Sequence, residues 1–88
     1  MATQLLATAD TAADSADVTV AAGAPVTIGL KGAAAGARVL LKLKDDAAAY
    51  NVIGELTGIA GERALTIYGP GVYRLTRVAG AACGVFSA

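Results

Sequence analysis

Histidine is absent from the sequence and cysteine occurs once, which removes most of the chemistry that a small domain uses for catalysis or metal binding. One cysteine, Cys83, cannot form a disulfide within the chain, and without histidine it cannot assemble a zinc site. No histidine is available to activate its thiol, so we expect a small buried apolar residue there and not a nucleophile. The same absence argues against a serine hydrolase. We therefore predict no enzymatic activity, no metal and no cofactor.

Carboxylates are few, and the one adjacent pair is badly placed for acid–base catalysis. Asp45 and Asp46 follow the end of a predicted strand. Neighbouring side chains there point to opposite sides and do not converge on one substrate. The segment also lacks the closely spaced oxygen ligands of a calcium loop. We interpret the pair as a solvated turn.

A surplus of charge of either sign is also missing, because seven basic residues balance seven acidic ones. A neutral chain is a poor partner for phosphate, so we expect no nucleic-acid binding. The charge-free stretch from Val18 to Leu30 is too short for a membrane-spanning helix and contains Pro25, so we expect no membrane insertion. No basic residue precedes Leu5 and Leu6, so we expect no secretory signal and synthesis in the cytoplasm.

Charged residues make up only 16% of the chain, whereas hydrophobic residues make up 56% and the mean hydropathy is +0.60. A chain of 88 residues buries a limited core, and association with other chains is the remaining way to reinforce it. The first thirty residues contain three Asp and no basic residue. An acidic segment on a more basic body would suit head-to-tail contact between copies, although so few residues are also compatible with a chance distribution.

Apolar residues alternate with polar ones at a period of two over most of the chain, which is typical of β-strands. The predicted strands are Val18–Val20, Val26–Leu30, Val39–Lys44, Tyr50–Ile53, Leu65–Tyr68 and Val72–Thr76, with Val85 and Phe86 closing the chain. Turns rich in glycine separate them, and Gly69-Pro70-Gly71 is the clearest. This spacing predicts an all-β fold, a small antiparallel β-sandwich of immunoglobulin-like or jelly-roll-like type. The predicted core contains Val26, Ile28, Leu30, Val39, Leu41, Leu43, Ile67 and Leu75.

The N-terminal stretch differs from the rest because it carries the early acidic residues and no turn signal of its own. We therefore divide the chain into an extended N-terminal arm over residues 1–17 and a β-sandwich domain over residues 18–88. Residues 4–6 could pair as an edge strand, and we expect the arm to become ordered only against another chain. The candidate contact residues for that other chain are Gln4, Leu5, Leu6, Asp10 and Asp14.

Three segments carry a resemblance to a known class of proteins: residues 17–28, residues 50–56 and residues 69–77. The last contains Gly71-Val72-Tyr73-Arg74-Leu75-Thr76-Arg77, and a Gly84-Val85 ending follows it. In these segments the chain resembles the head decoration (cement) and head-fibre-type β-sandwiches of tailed phages, although Thr76 stands where a second arginine is common. The resemblance implies a non-enzymatic virion protein on the capsid surface. Its partners would be the major capsid protein, copies of itself, or both.

A carbohydrate- or surface-binding adhesion module of a phage fibre is the alternative function. Sugar sites usually stack rings on exposed aromatic residues and surround them with Asp, Asn and Gln. Tryptophan is absent, aromatic residues make up 5% of the chain, and Asn51 and Gln4 are the only side-chain amides. This composition favours the structural virion protein over the adhesion module.

Overall fold

The computed structural model describes residues 2–59 and 63–88, and within these ranges all regular secondary structure is β-strand. Nine strands follow one another: β1 (Thr3–Ala9), β2 (Ala13–Asp14), β3 (Val18–Val20), β4 (Val26–Lys31), β5 (Arg38–Lys44), β6 (Tyr50–Thr57), β7 (Ala64–Ile67), β8 (Gly71–Arg77) and β9 (Cys83–Ser87). The prediction of an all-β fold is confirmed. The six predicted strands and the closing pair all correspond to observed strands.

The strands form two antiparallel sheets that pack together as a small sandwich. The first sheet has the order β1-β9-β4-β7. In the second sheet, β2 and β3 both pair with one side of β8, and β5 and β6 follow on the other side. Strand β8 therefore has partners along both of its sides. The Gly69-Pro70-Gly71 turn connects β7 to β8, so it passes from one sheet to the other.

Large aliphatic side chains fill the space between the sheets. Six of the eight predicted core residues are buried, whereas Val26 and Leu43 are half-buried and pack against the others. Each fully buried Leu or Ile of this kind contributes about 1.5–3 kcal/mol relative to exposure. The alternation of apolar residues also predicted the buried face of β4, β5, β7 and β8, but not that of β6, where Val52 is exposed. The core also contains Cys83, whose burial was predicted, and five buried residues that were not predicted: Val20, Ala37, Leu56, Tyr73 and Val85.

Strand β6 is longer than predicted, because it continues through Gly54 to Thr57. Gly54 lies opposite Leu41 on β5, and a Cβ there would meet the Leu41 side chain at an ordinary van der Waals distance of 3.7 Å. The glycine therefore does not end the strand, and Leu56 two residues later returns to the core. The predicted end of this strand at Ile53, directly before Gly54, was therefore four residues too early.

The separation of the chain into an arm and a sandwich needs correction. Within the described residues of that segment, β1 pairs with β9, β2 pairs with β8, and Ser15 is buried with its backbone N–H bonded to the Leu75 carbonyl at 2.8 Å. Residues 2–17 thus form edge strands of the sandwich itself, and no structural boundary follows residue 17. The pairing of residues 4–6 as an edge strand is confirmed, because they belong to β1. Their partner is β9 of the same chain and not another chain, and it lies at the opposite end of the sequence, where local patterns give no indication of the pairing.

Candidate interaction surface

Strand β8, which contains the motif of the phage resemblance, presents different chemistry on its two faces. Tyr73, Leu75 and Arg77 point inward and are buried, whereas Arg74 and Thr76 lie on the outer face. The Tyr73 hydroxyl donates a hydrogen bond to the carbonyl of residue 69 at 2.9 Å, which ties the strand to its preceding turn. The motif therefore combines core packing with polar contacts.

Arg77 is a buried cation whose described partners are all backbone carbonyls. Its Nε donates to the Thr11 oxygen at 2.6 Å, and its Nη1 donates to the oxygens of Ala7 and Cys83 at 2.8 and 2.9 Å. Only 3% of the residue is exposed. Because β8 belongs to one sheet and both Ala7 and Cys83 belong to the other, this single side chain ties the two sheets together and holds the N-terminal segment on them.

On the outer face of the second sheet, Tyr50, Arg74 and Asp17 form a cluster that spans several strands. The guanidinium of Arg74 lies 4.0 Å from the centre of the Tyr50 ring, a cation–π contact. Asp17 accepts hydrogen bonds from the Tyr50 hydroxyl at 2.8 Å and from Arg74 Nη2 at 2.9 Å. These bonds, that from Tyr50 first, lower the pKa of Asp17 below its ordinary value of 3.8. The cluster fastens edge strand β6 to β8 and to the residue just before β3.

The predicted contact residues Leu5 and Leu6 have a structural role within the chain. Both are half-buried and pack against the core, which is possible for two consecutive residues because the β1 register shifts between Gln4 and Leu6. The Gln4 side chain is exposed and accepts a hydrogen bond from Lys31 Nζ at 2.6 Å. The two leucines therefore contribute to the core of their own chain, and only part of each side chain remains exposed.

The predicted acidic contact residues lie on the surface near the edge formed by β1 and β2. Asp10 is exposed, and its backbone oxygen accepts a hydrogen bond from the amide of Gly80 at 3.0 Å. Asp14 is exposed on β2 and accepts a hydrogen bond from the Thr76 hydroxyl. The structure brings Gln4, Asp10 and Asp14 to edges of the sandwich, but it does not gather them into one cluster with the leucines.

No group of three or more potential metal ligands occurs in the part of the chain that the structure describes. Cys83 is fully buried, and burial raises the pKa of its thiol, as expected for an apolar environment. Asp45 bonds to the backbone amides of Ala47 and Ala49 and to the Asn51 side chain, which is the behaviour of a turn-forming carboxylate. Residues 2–59 and 63–88 contain no helix, and therefore none with the length and apolar character needed to cross a membrane.

Exposed large apolar side chains concentrate near two edge strands that follow each other in the chain. Val52 and Ile53 lie on β6 with 56% and 53% of their surface exposed, Ile59 follows β6, and Tyr68 follows β7. Two neighbouring strand residues point outward together because the register with β5 shifts at this point, from Leu41 opposite Gly54 to Lys42 opposite Val52. Sequence reasoning placed Val52 and Ile53 in a strand but could not detect the bulge.

The fold and this surface define a small antiparallel β-sandwich protein whose exposed apolar side chains lie at its sheet edges. No protein-family model matches the chain. No curated protein and no solved structure matches it either. Its function therefore has to be inferred from its own residues and their geometry.

Proposed function

We propose that this chain is a non-enzymatic structural virion protein that decorates or stabilises a phage capsid through repeated contacts with the major capsid protein and with copies of itself. The observation that supports it most is the location of the exposed apolar residues Val52, Ile53, Ile59 and Tyr68 beside edge strands β6 and β7. Large apolar side chains at sheet edges are typical of surfaces that meet other proteins. The phage class is favoured by the resemblance in residues 71–77, the strand on which the second sheet is built.

The physical requirements of shell decoration suit a chain of this size. A shell presents many copies of the same binding surface, so contacts that are weak individually hold an array of bound proteins firmly. Binding to the folded form also raises its apparent stability by mass action, which would supplement a small core. The protein would thus act at the capsid surface after synthesis in the host cytoplasm, without a cofactor and without nucleic acid or membrane as a partner.

The predicted contact residues differ in how far their side chains are exposed, and this difference supports some of them more than others as contacts. In addition to the apolar residues beside β6 and β7, a second contact would use the exposed polar residues along the β1–β2 edge, namely Asp10 together with Gln4 and Asp14, because Leu5 and Leu6 pack against the core. Of these, Gln4 and Asp14 also bond to Lys31 and Thr76 within the chain. Asp10 is therefore the residue whose side chain can be changed with the least risk to the fold.

The test is cosedimentation of the purified protein with undecorated capsids assembled from the major capsid protein. We expect the wild-type protein to be recovered on the shells and the Asp10→Lys variant to be recovered less. The control is Asp46→Lys, which makes the same change of charge in the exposed turn between β5 and β6. Equal loss in both variants would exclude the β1–β2 edge as the specific contact, and failure of the wild-type protein to bind would refute the decoration function.

The adhesion alternative is favoured by one observation, the exposure of 74% of Tyr68, whose ring is available for stacking on a sugar. The test is binding to a panel of immobilised bacterial surface glycans, with Tyr68→Ala as the variant. Binding that depends on Tyr68 would support the adhesion module. Absence of binding at about millimolar concentration, where weak sugar binding is still detectable, would exclude it.

A further inference from the structure

Strand β6 is the outer strand of the second sheet, so only one side of its backbone pairs with another strand of the described chain. The two ends of its ladder with β5 show which residues form hydrogen-bonded pairs. The amide of Asp45 donates to the oxygen of Ala49 at 2.8 Å, and the amide of Gly58 donates to the oxygen of Ala37 at 3.0 Å. Since such pairs alternate along an antiparallel ladder, the direction of every intervening backbone group follows from these two bonds.

Hydrogen-bonded pairs alternate with non-hydrogen-bonded pairs from each end of the ladder. This alternation places Tyr50, Val52 and Glu55 in non-hydrogen-bonded pairs with β5, so their backbone N–H and C=O groups point away from β5. Between the two halves, Ile53 is the extra residue of the bulge and shifts the alternation by one position. Val52 and Glu55 are therefore the edge-facing residues on either side of the bulge. Their side chains share the outer face of the sheet, because their β5 neighbours are Lys42 and Leu40, two residues apart.

We propose that β6 pairs with β6 of a second copy of this chain, antiparallel and about a two-fold axis that passes between Ile53 and Gly54. In this register Val52 of each copy lies opposite Glu55 of the other, so edge-facing backbone groups meet on both sides of the axis. The exposed side chains of Val52 and Ile53 from both copies surround the axis. The pairing joins two sheets into one continuous sheet, and it does not depend on the proposed virion function.

The charges next to β6 make this surface complementary to itself. Lys42 lies beside Val52 on β5, whereas Glu55 lies at the other half of β6, where it forms an ion pair with Arg38 at 2.8 Å. In the proposed dimer, Lys42 is the β5 neighbour of Val52, and Val52 lies opposite Glu55 of the other copy. Lys42 of one copy and Glu55 of the other are therefore on the same face of the continuous sheet, in line across the two β6 strands, and their charges are opposite. A parallel or shifted pairing loses this complementarity. An isologous contact of this kind also closes after two copies and does not grow into a fibre.

The test is sedimentation velocity over a range of protein concentration, from about 10 µM to about 1 mM, because a contact between two single strands is small and of modest affinity. We expect a monomer–dimer equilibrium for the wild-type chain. Val52→Glu places two carboxylates opposite each other on each side of the axis and should weaken the dimer at least about tenfold. Val52→Lys places an ammonium opposite Glu55 and should weaken the dimer less than Val52→Glu.

The matched control is Tyr68→Ser, which removes an exposed apolar side chain beside a different edge and should leave the equilibrium unchanged. Circular dichroism of each variant checks that the fold is retained. If Val52→Glu does not fold, the dimer affinity of Val52→Lys is compared with that of the wild-type chain instead. A wild-type chain that remains monomeric over the whole range would overturn the proposal. Equal weakening by Val52→Glu and Val52→Lys, or weakening by Tyr68→Ser, would refute pairing in this register.

Discussion

Arg77 and Ala7 are seventy positions apart in the sequence, yet Nη1 of the buried Arg77 donates a hydrogen bond of 2.8 Å to the Ala7 oxygen. The same nitrogen also bonds to the Cys83 oxygen, and Nε bonds to the Thr11 oxygen. A buried charge is costly unless its donors are satisfied, and here backbone carbonyls of the opposite sheet and of the N-terminal segment satisfy them. The N-terminal segment is thereby part of the environment that makes burial of this arginine possible.

Replacement of Arg77 by Met should destabilise the protein by about 3 kcal/mol, because three carbonyl oxygens lose a charge-assisted hydrogen bond and the one of Cys83 is buried away from water. Arg77→Lys should recover only part of this loss, since one ammonium cannot reach all three oxygens. Urea denaturation of each variant measures the free energy of unfolding. Arg38→Met is the control: it removes an exposed ion pair and should cost about 1 kcal/mol or less.

Deletion of residues 2–14 should abolish the cooperative thermal unfolding transition and reduce the β-sheet signal in far-UV circular dichroism. The deletion removes β1 and β2 and withdraws two of the three carbonyl partners of Arg77. An independent arm would instead be removable without loss of the sheet. Hydrogen exchange on the intact chain gives the complementary measurement: amides of β1 bonded to β9 should be protected to a similar degree as those of β5. Rapid exchange throughout β1 would contradict its place in the sandwich.

Ala48→Gly should stabilise the protein by about 0.5–1 kcal/mol. Ala48 has a φ of 63° in the turn between β5 and β6, a left-handed conformation that costs a residue with a Cβ about 1–2 kcal/mol. Glycine avoids most of that cost, although its greater freedom in the unfolded state offsets part of the gain. Thermal unfolding followed by calorimetry measures the change. Ala47→Gly, one residue earlier and without positive φ, should lower stability or leave it unchanged.

Stability should fall in acid as Asp17 becomes protonated. Its pKa in the folded state is depressed below 3.8, first by the hydrogen bond from Tyr50 and then by that from Arg74. The unfolded state therefore takes up a proton at higher pH than the folded state does. The resulting stabilisation is fully present well above pH 3.8 and is lost as the pH falls through the depressed pKa.

The measurement is the urea midpoint as a function of pH for the wild type, Asp17→Asn and Arg74→Met. The Asp17→Asn variant should show a shallower acid limb, and Arg74→Met should move the limb in the same direction because it removes one of the groups that depress this pKa. An acid limb identical in all three proteins would show that Asp17 does not contribute. Glu55, whose pKa is lowered mainly by its hydrogen bond from Arg38, remains in every variant and accounts for part of the residual slope.

The sequence by itself determined the class of fold and most of the core, because both depend on local patterns. A period of two in the apolar residues requires strands with one buried face, so Ile28, Val39 and Leu75 had to point inward once a sandwich formed. The turn residues around Pro70 and Asp45 likewise act through their own backbone preferences, and they separate strands as predicted.

Only the tertiary structure decided the placement of β1, the burial of Arg77 and the outward pair Val52 and Ile53. Each depends on a partner that is distant in sequence or on a register that local propensity does not encode: β9 for β1, carbonyls of the opposite sheet for Arg77, and a bulge against β5 for Val52 and Ile53. From sequence alone a charged residue is expected to be exposed, because its burial depends on hydrogen-bond partners that the sequence does not show. The alternation of apolar residues likewise does not show where an extra residue is inserted in a strand. The candidate interaction surface depends on these non-local contacts, and for this physical reason it could not be read from the sequence.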